Sequence, residues 1–540
     1  MSAAENAAPG DPAATPGAFA PLRQRLFAIL WLATVLGNVG SFMRDVASAW
    51  LVTDLSSSPL AVSAIQAAGA LPAFLLAVPA GVLSDILDRR RLLVALIAFL
   101  AAVSALLSLL AATGNASIES LIALTFLGGV GAALAAPTWQ AIVPELVARP
   151  DLKAAVALNS LGFNIARAIG PALGGLIVAV LGAAATYLFD IASDILVIAA
   201  LLWWKRRAGG DDVLREHFGG ALRAGLRYAR ASATLRTVLI RAVLFFLCAS
   251  AIWALLPVVA RRELGGGPGL YGLLLGSVGV GAITGAVVMP RLRAGLGQDR
   301  LVLGAFILMA AVTAFLATTG AAVPALCATF LLGVAWIAVL ATLNGTAQAI
   351  LPDWVRGRGL ALYLMAQAGA MTVGSLAWGA YAARTSTATA LLTSAGLLAL
   401  LAVATALRRV PLPAGEADLT PSGHWAEPET ASAPERDRGP VLVSIAYRVD
   451  PQDRAAFLQA IGRLSEARRR DGAHAWGVAE DAADPERLVE WFFVESWAEH
   501  LRQHRRVSKA DADVQAELLR WHSGPEPPAV THLLGLDAQP

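Results

Sequence analysis

Cysteine occurs only twice in 540 residues, at Cys248 and Cys327, and both lie inside apolar runs. That excludes a disulfide framework and leaves packing as their expected role. Charge is scarce as well. Asp, Glu, Lys and Arg make up 15% of the chain and hydrophobic residues 57%, with a mean hydropathy of +0.62, whereas a globular domain needs about 25% charge. A chain this apolar belongs in a bilayer. No G-x-x-x-x-G-K-[ST] loop is present, so work done by this chain must draw on an ion gradient and not on ATP. All seven histidines lie outside the long apolar runs, so a proton carrier within those runs must be a carboxylate. The net charge of +3 and pI near 9.1 do not point to nucleic acid, because the cations fall in turns and form no single basic face. Residues 1–21 lack the charged, apolar and cleavage regions of a secretory signal and are expected to be a disordered cytoplasmic lead.

What is abundant is apolar runs of spanning length. Twelve can be marked, at 26–52, 61–83, 92–112, 121–143, 155–180, 183–204, 238–260, 271–288, 301–319, 323–350, 360–381 and 387–407. As helices, runs of about 20 residues cross the ~30 Å hydrocarbon core. Cations at Arg89 to Arg91, Arg149 with Lys153, Lys205 to Arg207, Arg291 to Arg300, Arg356 with Arg358, and Arg408 with Arg409 fall on alternate turns. The positive-inside rule then places both termini in the cytoplasm of a plasma-membrane protein; Arg261, Arg262 and Arg384 are exceptions on the other side. An internal repeat divides the body in two. Gln140 to Val147 reads QAIVPELV and Gln348 to Val355 reads QAILPDWV, after the fourth and tenth runs. The expected domains are 22–208 and 237–410, two six-helix bundles joined by a cytoplasmic amphipathic linker at 209–236.

After Arg409 a Pro-, Ala- and Glu-rich stretch, 411–440, is expected to stay unfolded as a linker. Residues 441–540 then read as a cytoplasmic soluble domain: strand at 441–449, helix at 452–469, strands at 474–479 and 488–495, one helix at 498–521 and a last strand at 530–534. That order is ferredoxin-like, giving an all-α membrane body plus an α+β domain. His500 and His504 stand one helical turn apart, a spacing able to hold a metal, but the basic run after them reads as a solvated helix face and no metal is expected. Trp476, Trp491, Phe492 and Trp497 are candidates to line a small-molecule pocket, with core packing or a dimer face as the more ordinary reading.

Charges inside apolar helices cost at least a few kcal/mol each, so they should face a cavity or a partner. Arg44 and Asp45 in the first run, Arg167 in the fifth, and Asp190 with Asp194 in the sixth are the candidates for proton coupling. Asp190 and Asp194, four apart, share a helix face. Asp194, with Asp190 or Asp45, is expected to take a proton while Arg167 or Arg44 supplies the counter-charge; a static Arg44 to Asp45 pair is the competing reading. Asn38, Gln66, Trp139, Gln140, Asn159, Asn164 and Asn344 are candidates for a substrate path, or for hydrogen bonds between helices.

Several of these stretches resemble the major facilitator superfamily, and its transmembrane secretion effector subgroup in particular, similar to enterobactin-type siderophore exporters. The turn AGVLSDILDRRRL, with Gly81, Asp85, Asp88, Arg89 and Arg90, resembles the superfamily's gating loop between the second and third helices. ARAIGPALGG, with Gly170, Pro171, Gly174 and Gly175, resembles the exporters' signature in the fifth helix. SFMRDVASAWLV and APTWQAIVPELV extend the likeness over about three quarters of the chain. The resemblance implies a secondary active exporter of a small organic molecule, a siderophore or drug-like metabolite, by proton antiport without a cofactor. An uptake symporter is the alternative. The fourth run departs from the pattern: it has no Arg where many proton-coupled exporters carry R-x-x-x-G, which makes Arg167 the expected stand-in. The last domain resembles antibiotic-biosynthesis monooxygenase-type domains, implying either a fused enzyme or, as no nucleophile or acid-base set is evident, a sensing or dimerising module.

Overall fold

The computed structural model describes residues 17–204, 218–408 and 438–535, with short pieces at 411–412, 418–425, 428 and 435. The side chains at 78, 82, 85–86, 218–224 and 408 lie outside the described set, as do 1–16, the cations at 205–207 and most of the two expected linkers.

Twelve of the described helices are long and apolar enough to cross a membrane. The first half contains α1 (Arg25–Leu55), α2 (Pro59–Ile86), α3 (Arg89–Ala112), α4 (Ile118–Leu146), α5 (Leu152–Leu181) and α6 (Ala183–Trp203). A surface helix, α7 (Phe218–Ala231), leads into the second half: α8 (Ala233–Val258), α9 (Pro268–Leu296), α10 (Gln298–Leu316), α11 (Ala322–Ala349), α12 (Asp353–Arg384) and α13 (Thr387–Arg408). The repeated octamers end differently. In the first half Pro144 stays inside α4, whereas in the second the chain leaves helix at Ile350 and Pro352 caps α12. That helix therefore starts seven residues earlier than its apolar run, Asp353 against 360.

The halves meet through glycine. A Cβ on Gly175 of α5 would stand 2.5 Å from the Pro268 carbonyl oxygen and 2.7 Å from the Cα of Gly272, both on or at the start of α9. Backbone cannot yield as a side-chain tip can, so only glycine allows this crossing. Gly379 of α12 lies equally close to Ser63 of α2. At the same end α8 runs on into a π turn, Val259–Glu263. That turn lets Arg261 bond Thr53 and Asp54, and Arg262 the Ser57 carbonyl.

The carboxyl-terminal domain contains β1 (Val441–Arg448), α14 (Arg454–Asp471), β2 (Ala473–Asp481), β3 (Asp484–Val494), α15 (Trp497–Arg506), α16 (Lys509–Leu519) and β4 (Ala529–Leu534). The sheet order is β2-β3-β1-β4, antiparallel throughout, which is the ferredoxin-like arrangement. Alternate residues of β1 (Val441, Val443, Ile445, Tyr447) are buried against Phe457, Ile461 and Leu464 of α14. Buried Glu490 accepts from Arg468 at 3.0 and 3.3 Å, from Trp476 Nε1 at 2.9 Å and from the Tyr447 hydroxyl at 3.2 Å. The single helix expected over 498–521 is in fact two, because Ser508 forms a capping box with Asp511 and restarts the helix. Within the expected linker, residues 418–425 are bonded to the domain. Ser422 N donates to the Val507 carbonyl, and Trp425 Nε1 to Gln515 at 2.9 Å.

Candidate functional site

Between the halves lies a cavity of about 410 Å³, bordered by α1 to α5 on one side and α8, α9, α11 and α12 on the other. That volume suits a small organic molecule. Its walls are mainly apolar, with Trp253, Trp336 and Tyr271 from the second half and Gln66, Arg44, Asp45 and Arg167 from the first.

Arg44 connects the cavity to the interior of the first half. Its Nη1 donates to Asp190 Oδ2 at 2.9 Å, and its Nε lies 3.8 Å from Asp45. The Ser104 hydroxyl donates to the same Asp190 oxygen at 2.7 Å, so one carboxylate ties α1, α3 and α6 together. Asp45 presents a largely exposed carboxylate to the cavity, while Asp190 is fully buried. Asp190 Oδ1 and Asp194 Oδ2 are buried without a hydrogen-bond partner among the described residues. Behind this cluster Ser48 and the Tyr187 hydroxyl are 3.0 Å apart.

Glycine makes room here too. A Cβ on Gly40 would fall 2.7 Å from Asp190 Oδ1 and 2.2 Å from Ser193 Oγ, so α6 can bring its acid against α1 only at glycine. Gly128 of α4 leaves the space the Arg44 guanidinium occupies, 3.9 Å from a built Cβ. The cation beside α4 therefore comes from α1. Arg167, the expected stand-in, lies over the Phe163 ring at 5.0 Å and has no carboxylate partner among the described residues. Sequence reasoning missed Gly40, Ser104 and Tyr187; the available signal was a glycine one helical turn before Arg44.

Of the expected path residues, Gln66 lines the cavity. Trp139 of α4 donates to Asn159 of α5 at 3.2 Å, a hydrogen bond between helices, whereas Asn164 bonds the Ser160 carbonyl and Asn344 accepts from Gln348 within their own helices. Asn38 is half-buried and Gln140 exposed, both away from the cavity.

In the expected gating loop, Asp88 caps α3 by accepting from Arg91 N at 2.8 Å. Arg89 bonds Glu145 of α4 at 2.9 Å, and Arg90 caps the last carbonyls of α6, Leu201 at 2.7 Å and Leu202 at 2.6 Å. A Cβ on Gly81 would meet no atom of the described residues within 4 Å, and the Asp85 side chain lies outside the described set. Gly170 and Gly174 bring α5 onto α1 at Val39, Phe42 and Met43, and a Cβ on Gly272 of α9 would stand 2.5 Å from the Pro171 carbonyl oxygen.

The carboxyl-terminal domain bears on the helical body through α15. Arg227 of α7 bonds Glu499 at 2.8 Å, Arg506 bonds the same acid at 2.6 Å, and the Arg506 guanidinium stacks on Trp354 of α12 at 4.2 Å. Burial alone would raise the Glu499 pKa, but Arg506 and Arg227 hold the carboxyl below the ordinary range.

Two six-helix halves around a cavity, with an ion pair at its edge, have the architecture of the major facilitator fold. The chain belongs to the transmembrane secretion effector family, which it matches over residues 16–540. It is 26% identical over 262 residues to the staphyloferrin A transporter of Staphylococcus aureus, covering 48% of this chain and 66% of that protein. It is 30% identical over 228 residues to the multidrug efflux pump Tap of Mycolicibacterium fortuitum, covering 40% and 55%. The chain thus spans less than two thirds of the length of these curated relatives. The fold is shared with a point mutant of the nucleoside transporter NupG, at 11% identity and TM-score 0.62, over 71% of this chain and 99% of that one. It is also shared with a bacterial homologue of the lysosomal transporter Spinster, inward-facing and occupied, at 15% identity and TM-score 0.56, over 73% and 98%.

Proposed function

We propose that the protein is a secondary active exporter of a small organic molecule, a siderophore or drug-like metabolite, that exchanges its cargo for protons by alternating access in the plasma membrane. The observation that carries this is the cluster of Asp45, Arg44, Asp190 and Asp194 running from the cavity wall into the first half, with two buried carboxylate oxygens unpartnered among the described residues. An unpartnered buried carboxylate is a place to hold a proton, since leaving a charge there costs several kcal/mol. Asp194 is the carrier, with Asp190, and Arg44 is the counter-ion that releases or holds them as the halves rock. The names of the relatives, a staphyloferrin A transporter and an efflux pump, support the cargo class and the outward direction.

Both termini are cytoplasmic in this reading. The end joined by Gly175 with Gly272 and by Arg261 with Asp54 is then the outer one, and the conformation is closed to the outside. The test is a comparison of metabolites in medium and cells with and without the gene. A compound that accumulates inside the deletion strain and disappears from its medium names the cargo; unchanged distributions across the metabolome argue against export.

A further inference from the structure

In the carboxyl-terminal domain His500 and His504 of α15 are joined by His532 of β4, and one ring nitrogen from each lies within 4.8 Å of the others. Nothing in the transport mechanism uses these groups. We propose that this triad is a binding site for a divalent transition-metal ion of the zinc, nickel or copper type, held by three imidazoles with a fourth position left for water or a further ligand.

Burial sets these rings apart first. A solvated helix face would leave both α15 histidines in water, but His500 is only 1% exposed and its ring is enclosed by Trp497 at 5.4 Å, His504 at 4.7 Å and His532 at 4.7 Å. Trp425, from the segment bonded across the domain, covers His504 edge-on at 5.0 Å. Three imidazoles gathered under two indoles are a poor way to fill a core. Each brings a second ring nitrogen that must be satisfied, where leucine would pack without that cost.

The spacing fits a metal. His500 Nε2 and His504 Nε2 are 3.2 Å apart. Two imidazole nitrogens bound at about 2.05 Å to one tetrahedral zinc ion stand roughly 3.3 Å apart. The separation two zinc ligands require is thus already present across one turn of helix, and β4 delivers the third ring from the opposite side. The donor set then selects the ion. Neutral nitrogen donors without carboxylates suit zinc, nickel, copper or cobalt and are poor ligands for magnesium and calcium.

The surroundings supply what a histidine site needs beyond its ligands. If Nε2 of His500 binds the ion, its Nδ1 keeps a proton that must be given to an acceptor. Nδ1 of His500 is buried with no hydrogen-bond partner among the described residues, and so are both side-chain polar atoms of Gln503, a fully buried residue one turn along the same helix. Turned so that its Oε1 faces that N–H, the Gln503 amide would be the acceptor. The nearby cation, Arg468, is already neutralised by Glu490 at 3.0 Å and does not leave a free charge against the ion.

The experiment uses the full-length protein in detergent, stripped of metal with a chelator and titrated with Co²⁺ alone. The expected result is saturation at one equivalent, with the visible absorption of low-symmetry cobalt, reversed by Zn²⁺. His504→Gln and His532→Gln, both at half-buried positions, should each weaken binding by more than about tenfold, whereas His522→Gln, at the far end of the domain, should leave it unchanged. X-ray absorption of the zinc-loaded wild-type protein should show imidazole nitrogens at about 2.0 Å, a readout that does not depend on any variant folding. No saturable cobalt binding, binding that survives both substitutions in folded protein, or a zinc shell without imidazole would each overturn the proposal.

Discussion

Arg44 and Asp190, 146 residues apart in sequence, meet at 2.9 Å inside the first bundle, and Ser104 reaches the same carboxylate oxygen from a third helix. Removing one member strands a buried charge, which costs about 3–5 kcal/mol. Arg44→Gln alone should therefore lower the melting temperature of the detergent-solubilised protein sharply. The double variant Arg44→Gln/Asp190→Asn should recover most of the loss, because no charge is left unpaired. Strictly additive losses in this cycle would show that the two groups do not depend on each other.

Closure at the glycine-paired end gives the second prediction. Gly175→Val puts a branched side chain where a single Cβ would already be 2.5 Å from the Pro268 carbonyl oxygen, so α5 and α9 must part. With exposed Cys327 removed and spin labels placed at Ser57 and Leu264, the variant should show a longer distance between labels and at least a tenfold loss of transport at unchanged membrane insertion. An unchanged distance distribution would mean that this crossing does not set the closed state.

The helical body was open to reading from its residues, because apolar runs of spanning length, separated by turns, leave a chain few alternatives. Two of the boundaries that moved did so for local reasons: Pro352 starting α12 early and Ser508 splitting one expected helix into two. The five ionisable candidates were likewise visible, since charges are rare in apolar helices. Which of them pair was not. Arg44 and Arg167 carry the same charge in similar runs, and only the packing of α6 against Gly40 shows that the first takes the acid while the second rests on Phe163. His532 is a harder case. It sits in a strand with no metal motif around it and joins His500 only when β4 pairs with β1.

The carboxyl-terminal domain should have its own pH response. Asp471 is buried at the end of α14, and burial, together with Asp511, pushes its carboxyl up to about 7 despite the arginines beside it. The folded state therefore holds a proton that the unfolded state has lost between about pH 4 and pH 7. Stability attributable to this group falls as pH rises through that window and is flat above it. Asp471→Asn should raise the melting temperature of the domain's transition at pH 8 and leave it nearly unchanged at pH 4. A stabilisation equal at both values would contradict the assignment.

Docking of that domain turns on Glu499, which holds Arg227 and Arg506 together beside Trp354. Truncating one partner of a buried charge pair costs about 2–5 kcal/mol. Glu499→Ala should therefore increase hydrogen exchange in α7 and α15 by more than an order of magnitude while α3 and α6 stay protected. Unchanged protection in α7 would show that the contact does not hold the domain in place.

Proton coupling is tested most directly in reconstituted vesicles carrying the cargo and a pH step across the membrane. Cargo flux should rise with the imposed gradient in the wild-type protein and lose that dependence in Asp194→Asn, with Asp190→Asn and Asp45→Asn measured alongside. If all three variants keep full proton-driven flux, or if wild-type flux ignores the gradient, the buried acids do not carry the proton.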